Sequence, residues 1–167
     1  MGCGKIGKYF CETCLKTIRK NDQTALDGTS LFKYQGIIKE AVKALKYQFL
    51  TDLETELGEL MDQGLEDKEL LEFVKLKPAI QPLPLYWKRE NWRGFNQAKI
   101  LAKIVAKKFA LPVIDGLDRI KQVKPQADLT RKERLLNVKN IFKVKPGKLP
   151  EAVLLVDDVW TTGATMT

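Results

Sequence analysis

Apolar residues recur along this chain at two spacings, and the switches between them outline its elements. From Gly36 onward, Ile37, Ile38, Ala41, Val42, Leu45 and Phe49 fall on one face of a helix. Leu53, Leu57, Leu60 and Met61 repeat the pattern and predict a second amphipathic helix with its acids outward. Phe95 to Phe109 predicts a third, with Ala98, Leu101, Ala102, Val105 and Phe109 inward. Between and after these lie extended segments: a short strand at Ser30 to Tyr34, a strand at Ala79-Ile80-Gln81 that passes through Pro82 and Pro84 into a constrained loop, and a short strand at Pro112-Val113-Ile114. Leu117 to Phe142 reads as basic and loop-like, with a short helix at Arg131 to Asn137. Val153-Leu154-Leu155-Val156 has the continuous β-branched character of a buried parallel strand. Strands alternating with helices predict an α/β domain with a mainly parallel sheet, Val153 to Val156 being a central strand.

The 167 residues fit one domain with a small appendage, and 44% hydrophobic with 30% charged residues is a globular balance. No run approaches a membrane span, and Met1 to Lys5 has no apolar signal core, so a cytoplasmic protein with no membrane partner is expected. The net charge of +8 is unevenly spread. Asp52 to Glu72 carries nine acids against Lys68, whereas Arg119 to Lys148 carries ten basic residues against Asp128 and Glu133. Tyr86 to Lys108 adds seven more basic residues against Glu90. Such surfaces suit phosphate-rich ligands, pyrophosphate or nucleic acid. The helical lysines Lys99, Lys103, Lys107 and Lys108 are more simply a solvated face.

The chemistry concentrates at the end of the last strand. Val156 is followed by Asp157 and Asp158, then by Thr161-Thr162-Gly163-Ala164-Thr165. Small and hydroxylated residues after a parallel strand form a turn that opens a helix, with outward N–H groups and a field that favours an anion. Gly163 lets the backbone approach, and threonine hydroxyls donate to phosphate oxygens. Two carboxylates beside a phosphate would repel it unless they face sugar hydroxyls or a divalent cation, so the implied ligand is a phosphorylated ribose. A Walker B strand also ends in acids, but it needs an upstream GxxxxGK[ST] loop, and Gly147-Lys148-Leu149 does not make one.

These thirteen residues, Val153 to Thr165, resemble the 5-phosphoribosyl-1-pyrophosphate (PRPP) loop of type I phosphoribosyltransferases. The blocks P-L-P-L…R-G-F-N-Q-A at Pro82 to Ala98 and K-P-Q-A…R-x-x-N-V…F at Lys124 to Phe142 narrow the likeness. Their order resembles the ComF family, phosphoribosyltransferase-like proteins linked to bacterial competence for DNA uptake that often carry an N-terminal zinc ribbon. The resemblance implies a type I phosphoribosyltransferase-like parallel sheet flanked by helices over residues 29–167, preceded by a partial zinc ribbon over 1–28. It implies PRPP binding with Mg²⁺ through Asp157, Asp158, Thr161, Thr162, Gly163, Ala164 and Thr165. Lys88, Arg89 and Arg93 would face the pyrophosphate. Lys121, Lys124 and Arg134 would fold over as a lid, while Gln126 and Asn137 would position a substrate edge. For Arg93, Asn96 and Gln97 helix N-terminal capping and packing is the alternative, an equal one for Asn96, whose type is a favoured cap. One departure is Tyr86, where the family usually has a histidine.

Cys11 and Cys14 form a C-x-x-C knuckle, and Cys3 has the look of the last residue of another, which would give zinc three of its four ligands. An incidental or redox pair is the alternative. The short run after Thr165 and the lone Cys3 lead to the expectation of a fragment clipped at both ends. Nothing identifies an acceptor. Three functions therefore stand: a phosphoribosyltransferase, a PRPP-binding protein without turnover, and a single-stranded-DNA-binding competence factor that works with other competence proteins. Trp87, Trp92 and Phe95 among Lys88, Arg89 and Arg93 would suit the third, by base stacking beside phosphate contacts.

Overall fold

A computed structural model describes residues 9–21, 28–47, 53–122, 140–148 and 150–160. In chain order the elements are α1 (Glu12–Thr17), α2 (Gly36–Tyr47), α3 (Leu53–Gly64), α4 (Lys68–Val74), β1 (Ala79–Pro82), α5 (Trp87–Arg93), α6 (Gln97–Phe109), β2 (Leu117–Arg119), β3 (Phe142–Val144) and β4 (Val153–Val156). The mix of helices with a small parallel sheet is the α/β class that the periodicity predicts. None of the helices among the described residues is long and apolar enough to cross a membrane.

β1 and β4 run parallel in a register that sets Ala79 against Val153 and Pro82 against Val156. On its other side β1 forms a parallel bridge from Ile80 to Val113, with Ile80 donating to Pro112 at 2.8 Å and accepting from Ile114 at 2.9 Å. Among the described residues β1 is flanked on both sides and β4 on one. Burial follows this order, since every residue of β1 is buried and β4 is half-exposed. Pro82 fits because it closes its strand, and the next donor, Leu83, bonds Val156 at 2.9 Å.

Helix α6 packs over β1 and β4, and its apolar stripe joins Met61, Leu65, Leu70, Ile80, Leu154 and Val156 in one core cluster. A second cluster joins α2 and α3 with Phe10 and Ile100. Leu53, Leu57, Leu60 and Met61 are all buried, as the pattern requires. One acid of α3 departs from the outward expectation. Glu56 accepts the backbone N–H groups of Tyr9 and Phe10, both at 2.8 Å, and so clasps the segment that carries the cysteines.

Three other segments differ from expectation. Ser30 to Tyr34 makes a single antiparallel bridge, Phe32 to Lys20, instead of a strand. Residues 68–74 form α4, whose start is fixed by the Asp67 carboxylate accepting from Leu70 N–H at 3.0 Å. Leu117 to Arg119 and Phe142 to Val144, read as the ends of a loop, pair as an antiparallel ribbon. The helix expected at Arg131 to Asn137 lies outside the described residues.

Asn96 joins sheet to helix. Its Oδ1 accepts from Ala98 N–H at 2.9 Å, capping α6, while its Nδ2 donates to the Leu83 carbonyl at 2.9 Å. The capping alternative raised for Asn96 is thus what the side chain does, and it also ties down the chain leaving β1. We expect Asn96→Ala to lose about 2–3 kcal/mol, from the cap and from an orphaned buried carbonyl, measured as a lower urea midpoint at unchanged slope.

Candidate functional site at the ends of β1 and β4

The parallel register brings the chain after Pro82 and the chain after Val156 to the same sheet edge. Ligands of open α/β sheets sit at such carboxyl ends. The residues just beyond each strand decide the chemistry there.

After β4 come Asp157 and Asp158. Asp157 Oδ1 accepts the backbone N–H of Asp158 at 2.8 Å. Asp158 Oδ1 accepts from Gln97 Nε2 at 3.5 Å, and its Oδ2 is ion-paired with Lys46. Burial, and then the neighbouring charge of Asp158, push the Asp157 carboxyl up to about 7.

After β1 the segment Trp87 to Arg93, read from sequence as a loop, is the helix α5. Gly94, at φ 77°, ends it in the left-handed conformation that glycine adopts without strain, with Gly94 N–H bonding the Glu90 carbonyl at 2.7 Å. The helical spacing sorts its cations. Arg89 and Arg93, four apart, share one face, and Lys88 and Trp92 share another. Arg93 is buried, donates through Nη1 to Gln97 Oε1, and lies 5.6 Å from the Tyr47 ring centroid. Lys88 is exposed and lies over the Trp87 ring at 5.4 Å.

The ribbon supplies another cation. Arg119, on β2, stacks on Phe142 at 5.7 Å. Burial lowers its pKa, the charge of Arg89 lowers it further, and Asp157 opposes both. Burial likewise lowers Arg93, against the opposing influence of Tyr47 and Asp158 and with a further lowering from Arg89. Arg89 therefore stands within electrostatic reach of both other guanidiniums. The Nε atoms of Arg93 and Arg119 are buried and find no hydrogen-bond partner among the described residues. Arg93 and Arg119 thus keep buried N–H donors of the kind that anionic oxygens accept from.

Opposite the arginines, the acid pair borders a cavity of about 590 Å³ between the apolar faces of α2 and α3 and residues 29–34. The Trp160 ring crosses Gly28 so closely that a Cβ there would lie 2.3 Å from it, which explains the glycine. The acid pair thus meets arginines from α5 and β2, a lysine from α2, and the cavity.

Of the residues singled out from sequence, Arg93 lies in the field of both Arg89 and Asp158, the latter next to Asp157, and Lys88 lies over Trp87. Lys121 is exposed just beyond β2. Thr161, Thr162, Gly163, Ala164, Thr165, Lys124, Gln126, Arg134, Asn137 and Cys3 lie outside the described residues. Cys11 sits at the N-terminus of α1 and Cys14 in its first turn, not joined in a disulfide, and no group of three metal-ligating side chains occurs among the described residues. Sequence reasoning missed Lys46, Tyr47 and Arg119 as site residues. Arg119 lay inside the basic segment but had no local mark. Lys46 and Tyr47 end a helix whose pattern concerns only its buried face.

The raised carboxyl of Asp157 carries a stability signature. Below about pH 4 it is protonated whether folded or unfolded. From there to about 7 the folded state keeps a proton that the unfolded state releases, so this group makes stability fall as pH rises through that window, with a constant penalty above. Asp157→Asn removes the penalty. The melting temperature of the variant minus that of the wild type should rise between pH 4 and 7 by a few degrees and then level off. A flat difference would mean that the carboxyl is not perturbed.

Curated proteins resemble the chain over most of its length. It is 31% identical to Competence protein F of Haemophilus influenzae, covering 98% of this chain and 73% of that protein. It is 29% identical to Competence protein ComFC of Bacillus subtilis, over 82% of this chain and 53% of the other. It is 25% identical to the DNA utilization protein YhgH of Escherichia coli K12, over 80% of this chain and 59% of the other. No family model matches the chain, and no solved structure matches it significantly. The likeness to Competence protein F at that identity and coverage, together with the blocks around β1, α6 and β4, shows that the chain belongs to the ComF family.

Proposed function

We propose that this chain binds PRPP at the edge where β1 and β4 end, on a type I phosphoribosyltransferase-like fold, and acts in the handling of DNA during uptake. The observation that carries the reading is the juxtaposition of Asp157 and Asp158, closing a parallel strand, with Arg89, Arg93 and Arg119 on one side. The acids accept from the ribose 2′- and 3′-hydroxyls, and Thr161 to Thr165 wrap the 5′-phosphate. The pyrophosphate lies toward the arginines. The names of the relatives, competence and DNA utilization proteins, support the link to DNA uptake. Zinc on the cysteine segment belongs to the same family reading.

In a transfer from PRPP the bond from the ribose C1 to pyrophosphate breaks, and the departing group takes the electron pair. Guanidiniums near the leaving oxygens stabilise that charge as it develops, most effectively where water is excluded. The developing positive charge on the sugar is offset by the acid pair beneath it. Mg²⁺, as supplied with PRPP, adds neutralisation of the pyrophosphate. With Tyr86 at the family's histidine position and no marked acceptor, turnover is a separate question from binding.

Calorimetry with PRPP and Mg²⁺ tests the binding. Asp157→Ala combined with Asp158→Ala should weaken it about a hundredfold or more, two charge-assisted hydrogen bonds being lost. Equal affinity in wild type and variant would dispose of the reading.

A second activity is favoured by exposure. Trp87 and Trp92 are 56% and 64% exposed, which buried core aromatics would not be, and they flank Lys88 and Arg89. Aromatics and cations on one exposed helix suit single-stranded DNA. Binding to oligothymidylate should weaken with salt. Trp92→Ala should cost about tenfold with the salt slope kept, and Lys88→Ala should reduce the slope. Binding indifferent to both changes would remove α5 from any DNA surface.

A further inference from the structure

We propose that Lys46, at the C-terminal end of α2, is a positioning residue of the acid-pair site: its ammonium is the built-in counter-cation of Asp158, standing where a divalent cation would otherwise be drawn. The protein would then accept a phosphoribosyl ligand with whatever metal that ligand carries and hold none of its own.

Adjacent carboxylates withdrawn from water each raise the cost of ionising the other, and a cation beside them lowers that cost. Here the cation is already covalently present. The Lys46 side chain is 20% exposed and that of Asp158 is 6% exposed, so the pair is largely shielded from solvent. Two of the four oxygens of the acid pair accept hydrogen bonds, Asp157 Oδ1 from the Asp158 N–H and Asp158 Oδ1 from Gln97, while Asp158 Oδ2 has no hydrogen bond and faces the Lys46 ammonium as an ion pair. A divalent ion demands several oxygens at once, and this arrangement does not offer them.

The ammonium is also held firmly in place. Ile38, Ala41, Val42, Ala44 and Leu45 bury the inward face of α2, so the helix end that bears Lys46 is fixed against the core. The next residue, Tyr47, carries the Arg93 guanidinium on its ring, Arg93 donates to Gln97, and Gln97 donates to Asp158. The end of α2 therefore reaches Asp158 by two routes, one ionic and direct, the other through three side chains. Nothing in the core requires a lysine at this position; an apolar residue would complete the helix equally well.

The test uses the whole chain and Mn²⁺ alone, with free Mn²⁺ counted by electron paramagnetic resonance at pH 7.5. Wild type should show no saturable site at submillimolar metal. Lys46→Met, and the closer neutral Lys46→Gln in case the first does not fold, should gain one site at least tenfold tighter. Lys46→Arg should stay as wild type, and adding Asp158→Asn should abolish the gained site. Folded neutral variants that bind Mn²⁺ no better than wild type, or a wild type that already binds one ion as tightly as they do, would overturn the proposal. A second arm rests on the phosphoribosyl reading: PRPP with Mg²⁺ should bind more weakly to Lys46→Gln and normally to Lys46→Arg. A wild type blind to PRPP would overturn that reading alone, leaving the Mn²⁺ result to decide the role of Lys46.

Discussion

Two carboxylates on consecutive residues, largely withdrawn from water, set the terms for everything around them. Uncompensated, they would repel each other and forfeit hydration at once. The fold compensates from three directions. Lys46 arrives from α2, Gln97 from the start of α6, and the guanidiniums of Arg93 and Arg119 from α5 and the ribbon. The parallel register of β1 and β4 makes this convergence possible, since it fixes where the chain after each strand emerges. The burial that holds the site together also lets its charges act over a distance at which water would screen them.

The compensation is unequal, and this gives the site its polarity. Asp158 faces Lys46 and Gln97 and lies in the field of Arg93, whereas Asp157 lies in the field of Arg119 and bonds the backbone. The arginines have surplus donors. A ligand with hydroxyls at one end and anionic oxygens at the other meets both needs in one orientation and neither in the reverse. That directional demand is a stronger constraint on the ligand than the presence of acids or arginines alone.

Much of the fold was legible because it rests on local periodicity. The faces of α2, α3 and α6 follow directly from the spacing of Ile38 to Leu45, Leu53 to Met61 and Ala98 to Val105. β4 and its acids were legible because a β-branched run cut off by two aspartates has few other uses. α5 was hidden by its composition: a seven-residue helix of aromatics and cations has no buried stripe to betray it, and only Gly94 marks its end. The β2–β3 ribbon escaped because its partners are far apart in sequence and its strands are three residues each. Lys46 and Arg119 escaped for a deeper reason. Their role is defined by what lies across from them in space, and no spacing along the chain encodes that.

The clasp of Glu56 on the amides of Tyr9 and Phe10 ties the start of the chain to α3. A grip on main chain is indifferent to the side chains that pass through it, so the cysteine segment is free to diverge while its path stays fixed. Cys11 follows Phe10 directly, and Phe10 shares a core cluster with α2 and α3. The start of the chain and the acid pair near its end are therefore both set against α2, Phe10 through the core cluster and Asp158 through Lys46.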